Sequence, residues 1–255
     1  MLPYLEHVLY RALPIALRVG GLLSFAPFLG SLSISLRVKT VLLLAITAAL
    51  YPVCPVPALY LSPWAWMRIA LAEATLGLAL GLCLQFAFEA VQLGGALAGF
   101  QFSFSLVNII DPQTNVDTPV LSTFYQLVAL LLFLQMNVHH WLLRGLAKSF
   151  EYVPIGSVVI QAATMKELFR DAAGMWLVGV QIAAPVLLAT LLLDLTIGFV
   201  TKAAPQMPAI FLSIPLKSVI GYAVLAIGVG LWPGLLEKQF ASALGWGERV
   251  LRLAH

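Results

Sequence analysis

The sequence contains few charged residues, and this scarcity fixes the class of protein. Only 10% of the 255 residues are Asp, Glu, Lys or Arg, whereas 61% are hydrophobic. Because soluble domains contain about 25% charged residues, a soluble globular protein is excluded, and lipid or other apolar protein must surround most of this chain. The bases behind the net charge of +3 are scattered singly between apolar stretches. That distribution is typical of membrane topology signals and argues against nucleic-acid binding.

The sequence also lacks the motifs that catalysis and cofactor binding require. Its two cysteines, Cys54 and Cys83, have no CxxC spacing and no histidine nearby, which indicates small buried residues and not a metal site or disulfide. Adjacent residues on a helix point about 100° apart, so His139 and His140 are expected at a membrane interface beside Trp141, not on a shared metal. The chain has no GxSxG motif, phosphate loop or dinucleotide fingerprint. We therefore expect no enzyme activity, cofactor or metal.

Six apolar stretches follow one another without a linker, at about residues 12–30, 40–61, 68–98, 119–143, 173–200 and 209–236. A straight span needs about 20 residues, but prolines interrupt the first two stretches, and the third would form a helix of about 46 Å. Interrupted helices expose backbone groups that lipid cannot satisfy. The sequence therefore predicts an all-α membrane protein with about six long, kinked or broken helices in hairpins, packed among other helices.

Local signals refine this prediction. Thr118 as N-cap and Pro119 at the first helical position predict the start of a helix. The amphipathic segment 157–171, which contains KELFRD, predicts a water-facing helix. The N-terminus has no basic region or signal-peptidase site, which favours an uncleaved chain. Close helix approach is predicted at three pairs of glycines spaced four apart: Gly77/Gly81, Gly95/Gly99 and Gly230/Gly234.

Five ionisable residues lie inside the apolar stretches: Arg18, Glu73, Glu89, Asp194 and Lys217. A charge near the bilayer centre costs several kcal/mol unless it is paired or wetted. Glu73 and Glu89 are about 160° apart around an ideal helix, so they are not expected to form a carboxylate pair. Asp194 and Lys217 lie at similar distances from the turn at 203–208. They either meet across this hairpin or face different subunits or cavities, and the sequence favours neither alternative.

Residues 100–106 alternate strictly between apolar and polar side chains, reading Phe-Gln-Phe-Ser-Phe-Ser-Leu. A two-residue period is typical of a half-buried extended strand. Asp111-Pro112 ends this segment, since proline lacks an N–H group and disfavours helix at the preceding residue. The pattern predicts an extended loop between two helical stretches.

Six blocks of the chain, taken in order, resemble the FliR family of flagellar export-gate proteins, whose injectisome relatives belong to type III secretion. The blocks are ALRVGGLLSFAPFLGSLSISLRVK, GLALGLCLQFAFEAV, GFQFSFSLVNIIDP, PVLSTFYQLVALLLFL, SFEYVPIG and APQMPAIFLSIPLKSVIG. The resemblance covers about residues 12–236 and is carried by the order of the blocks, not by any single one.

The resemblance implies a non-enzymatic core subunit of the flagellar export gate in the bacterial inner membrane, within the basal body and needed for flagellum assembly. Such a subunit would form, with the sister subunits FliP and FliQ, a helical assembly around a pore for unfolded flagellar proteins. FlhB is expected to pack against it and FlhA to lie nearby. Within a single domain of residues 1–255, about 1–172 would be the FliP-like part and about 173–236 the FliQ-like hairpin.

The resemblance further implies that residues 102–110 form the loop that plugs the closed pore. These residues are Phe102, Ser103, Phe104, Ser105, Leu106, Val107, Asn108, Ile109 and Ile110, and the turn Asp111-Pro112 ends the loop. The family has Met-Gly where Phe102-Ser103 stand here, and the loss of glycine should stiffen the backbone. The alternative functions are a polytopic secondary transporter, which also uses broken helices and intramembrane charges, and an injectisome-type export-gate homologue.

Overall fold

The structure, a computed structural model, describes residues 2–27, 34–54, 62–102, 120–159, 161–204, 206 and 209–253. These residues form helices joined by turns, with no strand among them, and the prediction of an all-α membrane protein is confirmed. The helices are α1 (Leu2–Phe25), α2 (Leu36–Leu50), α3 (Pro63–Gln101), α4 (Val120–Gln135), α5 (Val138–Tyr152), α6 (Ala162–Ala203), α7 (Ala209–Val229) and α8 (Trp232–Leu253).

Three of these helices are long and apolar enough to cross a membrane: α3, α6 and the Leu212–Val229 part of α7. The consecutive helices α4 and α5 together qualify as one bent span, which raises the total within the described residues to four. α3 contains 39 residues and is therefore about 58 Å long. Since the hydrocarbon core is about 30 Å thick, an unbroken α3 must tilt or extend beyond it.

The predicted helix boundaries at prolines are confirmed for the first two stretches. α1 ends at Phe25, before Pro27, and α2 ends at Leu50, before Pro52. A proline has no N–H group to continue the helical hydrogen bonds, so a helix commonly ends close to it. Tyr51, directly before Pro52, still has helical backbone angles, with φ −50° and ψ −46°. Thr118 and Pro119 lie outside the described residues, and the fourth stretch is described as helical from Val120.

The predicted count of about six long, kinked or broken helices is not confirmed, since the described residues contain eight helices. The fourth stretch is divided because α4 ends at Gln135 and Asn137 adopts a left-handed backbone with φ 56°. Asparagine is one of the few residues besides glycine that visit this region readily. The sixth stretch is divided at Gly230–Leu231, so that α8 follows α7 as a further helix.

Most of the predicted water-facing helix at 157–171 is helical, from Ala162 onward. α6 begins at Ala162 and continues without interruption to Ala203, over 42 residues. The segment between Asp171 and Gly174 contains alanines, which favour helix, and the first proline of this helix, Pro185, lies further along. The amphipathic segment is therefore the first part of a long apolar helix.

Two compact units divide the chain, and each has its own buried core. The first unit comprises Met1–Ala87, Phe133–Ala173 and Gln239–His255, and the second comprises Phe88–Leu132 and Gly174–Lys238. The first core includes Ile15, Val19, Leu84, Leu146 and Phe240. The second includes Ala90, Val91, Tyr125, Ala129 and Val186. The division at about residue 172 that the family resemblance implies stays a prediction.

Candidate functional site

Arg18 on α1 and Glu73 on α3 form a fully buried ion pair in the first unit. Nε of Arg18 donates a hydrogen bond of 2.6 Å to Oε2 of Glu73, and both side chains are 0% exposed. Two opposite charges that are removed from water in this way must be satisfied by each other and by further hydrogen bonds. The sequence identified both residues as intramembrane charges, but it did not pair them.

The remaining donors of Arg18 bind the C-terminal end of α5. Nη1 donates to the backbone oxygen of Ser149 at 2.9 Å and to its Oγ at 3.1 Å. Nη2 donates to the backbone oxygen of Val153 at 3.0 Å, and Cζ of Arg18 lies 4.1 Å from the centroid of the Phe150 ring. Carbonyl groups at a helix C-terminus lack partners within the helix and carry partial negative charge. Arg18 supplies both hydrogen bonds and positive charge at this helix end.

Glu73 ties the turn after α5 to the same network. Its Oε1 accepts a hydrogen bond of 3.2 Å from the N–H group of Gly156. Gly156 has a φ of 87°, in the region that favours glycine because it has no Cβ. One ion pair thus fixes α1, α3, the end of α5 and the turn that follows it.

Glycines allow α1 and α3 to approach closely enough for this pair to form. A Cβ atom added to Gly77 would overlap the backbone oxygen of Arg18, and one added to Gly81 would lie 2.7 Å from the backbone oxygen of Leu22. From the other helix, a Cβ on Gly21 would lie 2.6 Å from the oxygen of Ala74. The two backbones are therefore in contact, and the close approach predicted for Gly77 and Gly81 is confirmed.

The other predicted glycine contacts have mixed outcomes. A Cβ on Gly95 would lie 2.6 Å from Cα of Ser122 in the second unit, which confirms close packing there. Gly230 and Gly234 do not lie at a close contact within the described residues: a Cβ on Gly230 would meet nothing nearer than 3.5 Å. Within the chain the predicted approach is therefore not found for this pair, because Gly230 lies in the turn between α7 and α8 and not within a helix face.

Asp194 on α6 and Lys217 on α7 form a second ion pair, in the second unit. Nζ of Lys217 lies 2.7 Å from Oδ1 of Asp194, and the side chains are 15% and 46% exposed, respectively. The first of the two alternatives is therefore the one found: the residues meet across the hairpin. Glu89, the fifth intramembrane charge, lies half-buried on α3 in the same unit.

Of the predicted plug loop and its terminal turn, only Phe102 lies within the described residues; Ser103 to Pro112 lie outside them. Phe102 is 3% exposed and stacks on Tyr222 of α7, with ring centroids 5.1 Å apart. Its ring fills the space beside Gly221, where an added Cβ would overlap it. The predicted extended conformation is wrong for Phe100 and Gln101, which continue α3. Adding a residue to an existing helix is much easier than starting a new one. Because α3 already contains 37 residues before Phe100, the short two-residue period does not stop it there.

Among the described residues, no group of three or more His, Cys, Asp or Glu side chains is placed to hold a metal ion. The rings of His139 and His140 have centroids 4.2 Å apart and lie in the first turn of α5. The chemistry that this arrangement offers is the pairing of buried charges between helices.

Comparison with known proteins gives the family. Residues 9–243 match the model of bacterial export proteins, family 1. The chain is similar to the flagellar biosynthetic protein FliR of Escherichia coli (strain K12), with 33% identity over 225 residues, which cover 88% of this chain and 86% of that protein. It is 33% identical over 191 residues to the FliR protein of Bacillus subtilis (strain 168), with 74% of each chain covered. The FliR protein of Aquifex aeolicus (strain VF5) is 26% identical over 236 residues, which cover 92% of this chain and 91% of that one. The chain therefore belongs to the FliR family of bacterial export proteins.

Proposed function

We propose that the chain is a non-enzymatic core subunit of the flagellar type III export gate in the bacterial inner membrane. In this role it forms, with FliP and FliQ, the pore through which unfolded flagellar proteins are exported, with FlhB packed against it and FlhA nearby. The observation that carries the proposal is the family match over residues 9–243. It is joined by relatives named flagellar biosynthetic protein that align with most of the chain, and these names favour the flagellar over the injectisome branch.

The apolar surface of the second unit supports a role as a subunit. In the Leu212–Val229 span only 11% of the residues are buried within the chain. Large side chains on α6 and α7 are exposed, among them Phe199 at 73%, Val219 at 68% and Ile227 at 75%. Large apolar side chains that are exposed in such number require lipid or partner helices to cover them. Sister subunits would supply those helices, and the α6–α7 hairpin would be the FliQ-like part of the chain.

The position of Phe102 supports the proposed plug at residues 102–110. Because its ring is buried against Gly221 and stacked on Tyr222, the first residue of the loop is fixed to α7 in the second unit. Residues 103–110 would extend from this fixed point across the pore, and Asp111-Pro112 would end them. The phenylalanine that replaces the family's methionine thus gains an aromatic partner.

Removal of the gene followed by complementation tests the proposed function. Cells without the chain should assemble no flagella and release no flagellar proteins into the medium, and expression of the chain should restore both. Normal release without the chain would overturn the proposal. The plug is tested separately by deletion of residues 103–109, which should leave the complex with FliP and FliQ assembled but make the membrane leaky to ions. A deletion variant that is as tight as wild type would show that the plug lies elsewhere.

A further inference from the structure

A groove in the first unit lies between α5 and the C-terminal part of α8. Its volume is about 590 Å³, which is within the range of about 300–1,000 Å³ found for small-molecule sites. From α5 it is lined by Trp141, Arg144 and Lys148, and from α8 by Ala241, Leu244 and Glu248. One face is therefore basic with an aromatic ring, and the opposite face is apolar with one carboxylate.

The two bases in the groove, Arg144 and Lys148, are exposed. Arg144 and Lys148 are one helical turn apart, both on the solvent-accessible side of α5. Neither lies within 4 Å of a carboxylate in the part of the chain that the structure describes. Two bases against one carboxylate leave an excess of one positive charge, which favours a ligand with a single negative charge.

The sequence around the groove places it at a lipid–water boundary. α4, which precedes α5, is free of charged residues over its whole length. α5 is amphipathic: Val138, Leu142, Leu146 and Phe150 are buried on one side. A helix of this kind that follows an apolar span, with bases on its polar face and a tryptophan beside them, is typical of the region of the lipid head groups.

We propose that this groove binds the head group of an anionic phospholipid of the phosphatidylglycerol class. Arg144 and Lys148 bind the phosphate oxygens, which are acceptors that both side chains recognise. The hydroxyl groups of the glycerol head donate hydrogen bonds to the carboxylate of Glu248. The upper acyl chain lies along Trp141 and Leu244. A lipid without net charge leaves the excess positive charge of the groove unbalanced.

Photocrosslinking in nanodiscs tests this proposal. The full chain, purified with the subunits that accompany it, is placed in phosphatidylcholine nanodiscs that contain photoreactive phosphatidylglycerol, and the labelled peptides are identified by mass spectrometry. We expect the label on the peptides of α5 and of the C-terminal part of α8. The double variant Arg144→Gln with Lys148→Gln should bind roughly thirtyfold more weakly, since each base near an anionic surface contributes about fivefold.

Two controls make the result specific. The double variant Arg144→Lys with Lys148→Arg keeps both charges and should retain most of the labelling, whereas Arg252→Gln removes an exposed base of α8 that does not line the groove and should retain all of it. Equal labelling by photoreactive phosphatidylcholine or phosphatidylethanolamine would overturn the proposal, as would labelling that is unchanged in the Gln variant. If a photoreactive amino acid is placed at position 148, its crosslinking to a protein subunit and not to lipid would also overturn the proposal.

Discussion

Loss of one partner of the buried Arg18–Glu73 pair is expected to destabilise the first unit strongly. In Glu73→Gln the guanidinium of Arg18 remains fully buried, with the Ser149 and Val153 acceptors but without a countercharge. In Arg18→Met the Glu73 carboxylate keeps only the N–H group of Gly156 among its present donors. The backbone oxygen of Val153 also loses the guanidinium donor, so Arg18→Met should be the more harmful change.

The magnitude follows from the burial of both side chains, which are 0% exposed. Removal of one partner of a buried ion pair costs about 3–5 kcal/mol, and an unsatisfied buried carbonyl costs about 1–3 kcal/mol. We expect about 3 kcal/mol for Glu73→Gln and about 5 kcal/mol for Arg18→Met. For a domain of 150–250 residues, 1 kcal/mol corresponds to about 2–4 °C in Tm, so the Gln variant should melt roughly 6–12 °C lower.

Thermal unfolding of the detergent-purified protein, followed by size-exclusion chromatography, measures this effect. Glu151→Gln is the matched control, since this exposed glutamate lies on α5 beside the same network. The double variant Arg18→Met with Glu73→Met removes both charges and should be less harmful than the sum of the single changes, because no buried charge is left alone. Equal Tm values for Glu73→Gln and Glu151→Gln would refute the reasoning, as would full additivity in the double variant.

Three further predictions concern helix contacts. Gly77→Leu should separate α1 from α3, since a side chain there overlaps the backbone of Arg18, and size-exclusion chromatography should show little folded protein. Asp194→Lys combined with Lys217→Asp should restore the assembly with partner subunits that each single change reduces, because the 2.7 Å contact is kept with reversed polarity; co-purification yields measure this. Gly221→Val should displace the ring of Phe102 and make the assembled complex leaky to ions, as a conductance assay would show.

The glycine predictions have controls on the same chain. An added Cβ would meet no atom within 4 Å at Gly198 on α6 or at Gly228 on α7. Gly198→Leu and Gly228→Val should therefore leave the amount of folded protein unchanged, apart from the intrinsic gain in helix propensity. If they reduce it as Gly77→Leu does, the damage comes from bulk in the membrane and not from the contact described. No recovery in the charge exchange would show that the Asp194–Lys217 pair does not support assembly.

Composition and proline positions predicted the class of fold and several helix ends, because both act locally. The apolar stretches are long enough to identify spans, and the prolines after Phe25 and Leu50 stop their helices. The turn at Asn137 was missed because its signal is a single residue that permits, but does not require, a left-handed backbone. The continuity of α6 was missed because its first part is amphipathic and the rest is apolar. The two patterns differ, but both are compatible with helix.

The buried charges show what sequence alone cannot supply. Each of the five was recognisable as costly in an apolar stretch. The Asp194–Lys217 pair could be proposed because both residues flank one hairpin, so their distances from its turn are comparable. Arg18 and Glu73 are 55 positions apart, with another helix between them in the chain, and no local rule relates them. Their pairing depends on the glycine contact between α1 and α3, which is a property of the packed structure.

Purification of the tagged chain from its native membranes, with its co-purifying proteins identified by mass spectrometry, tests whether the chain is an export-gate subunit. We expect FliP and FliQ to accompany the chain in one stable particle that contains a central pore. Isolation of the chain alone, as a monomer that transports a small solute when reconstituted, would contradict it.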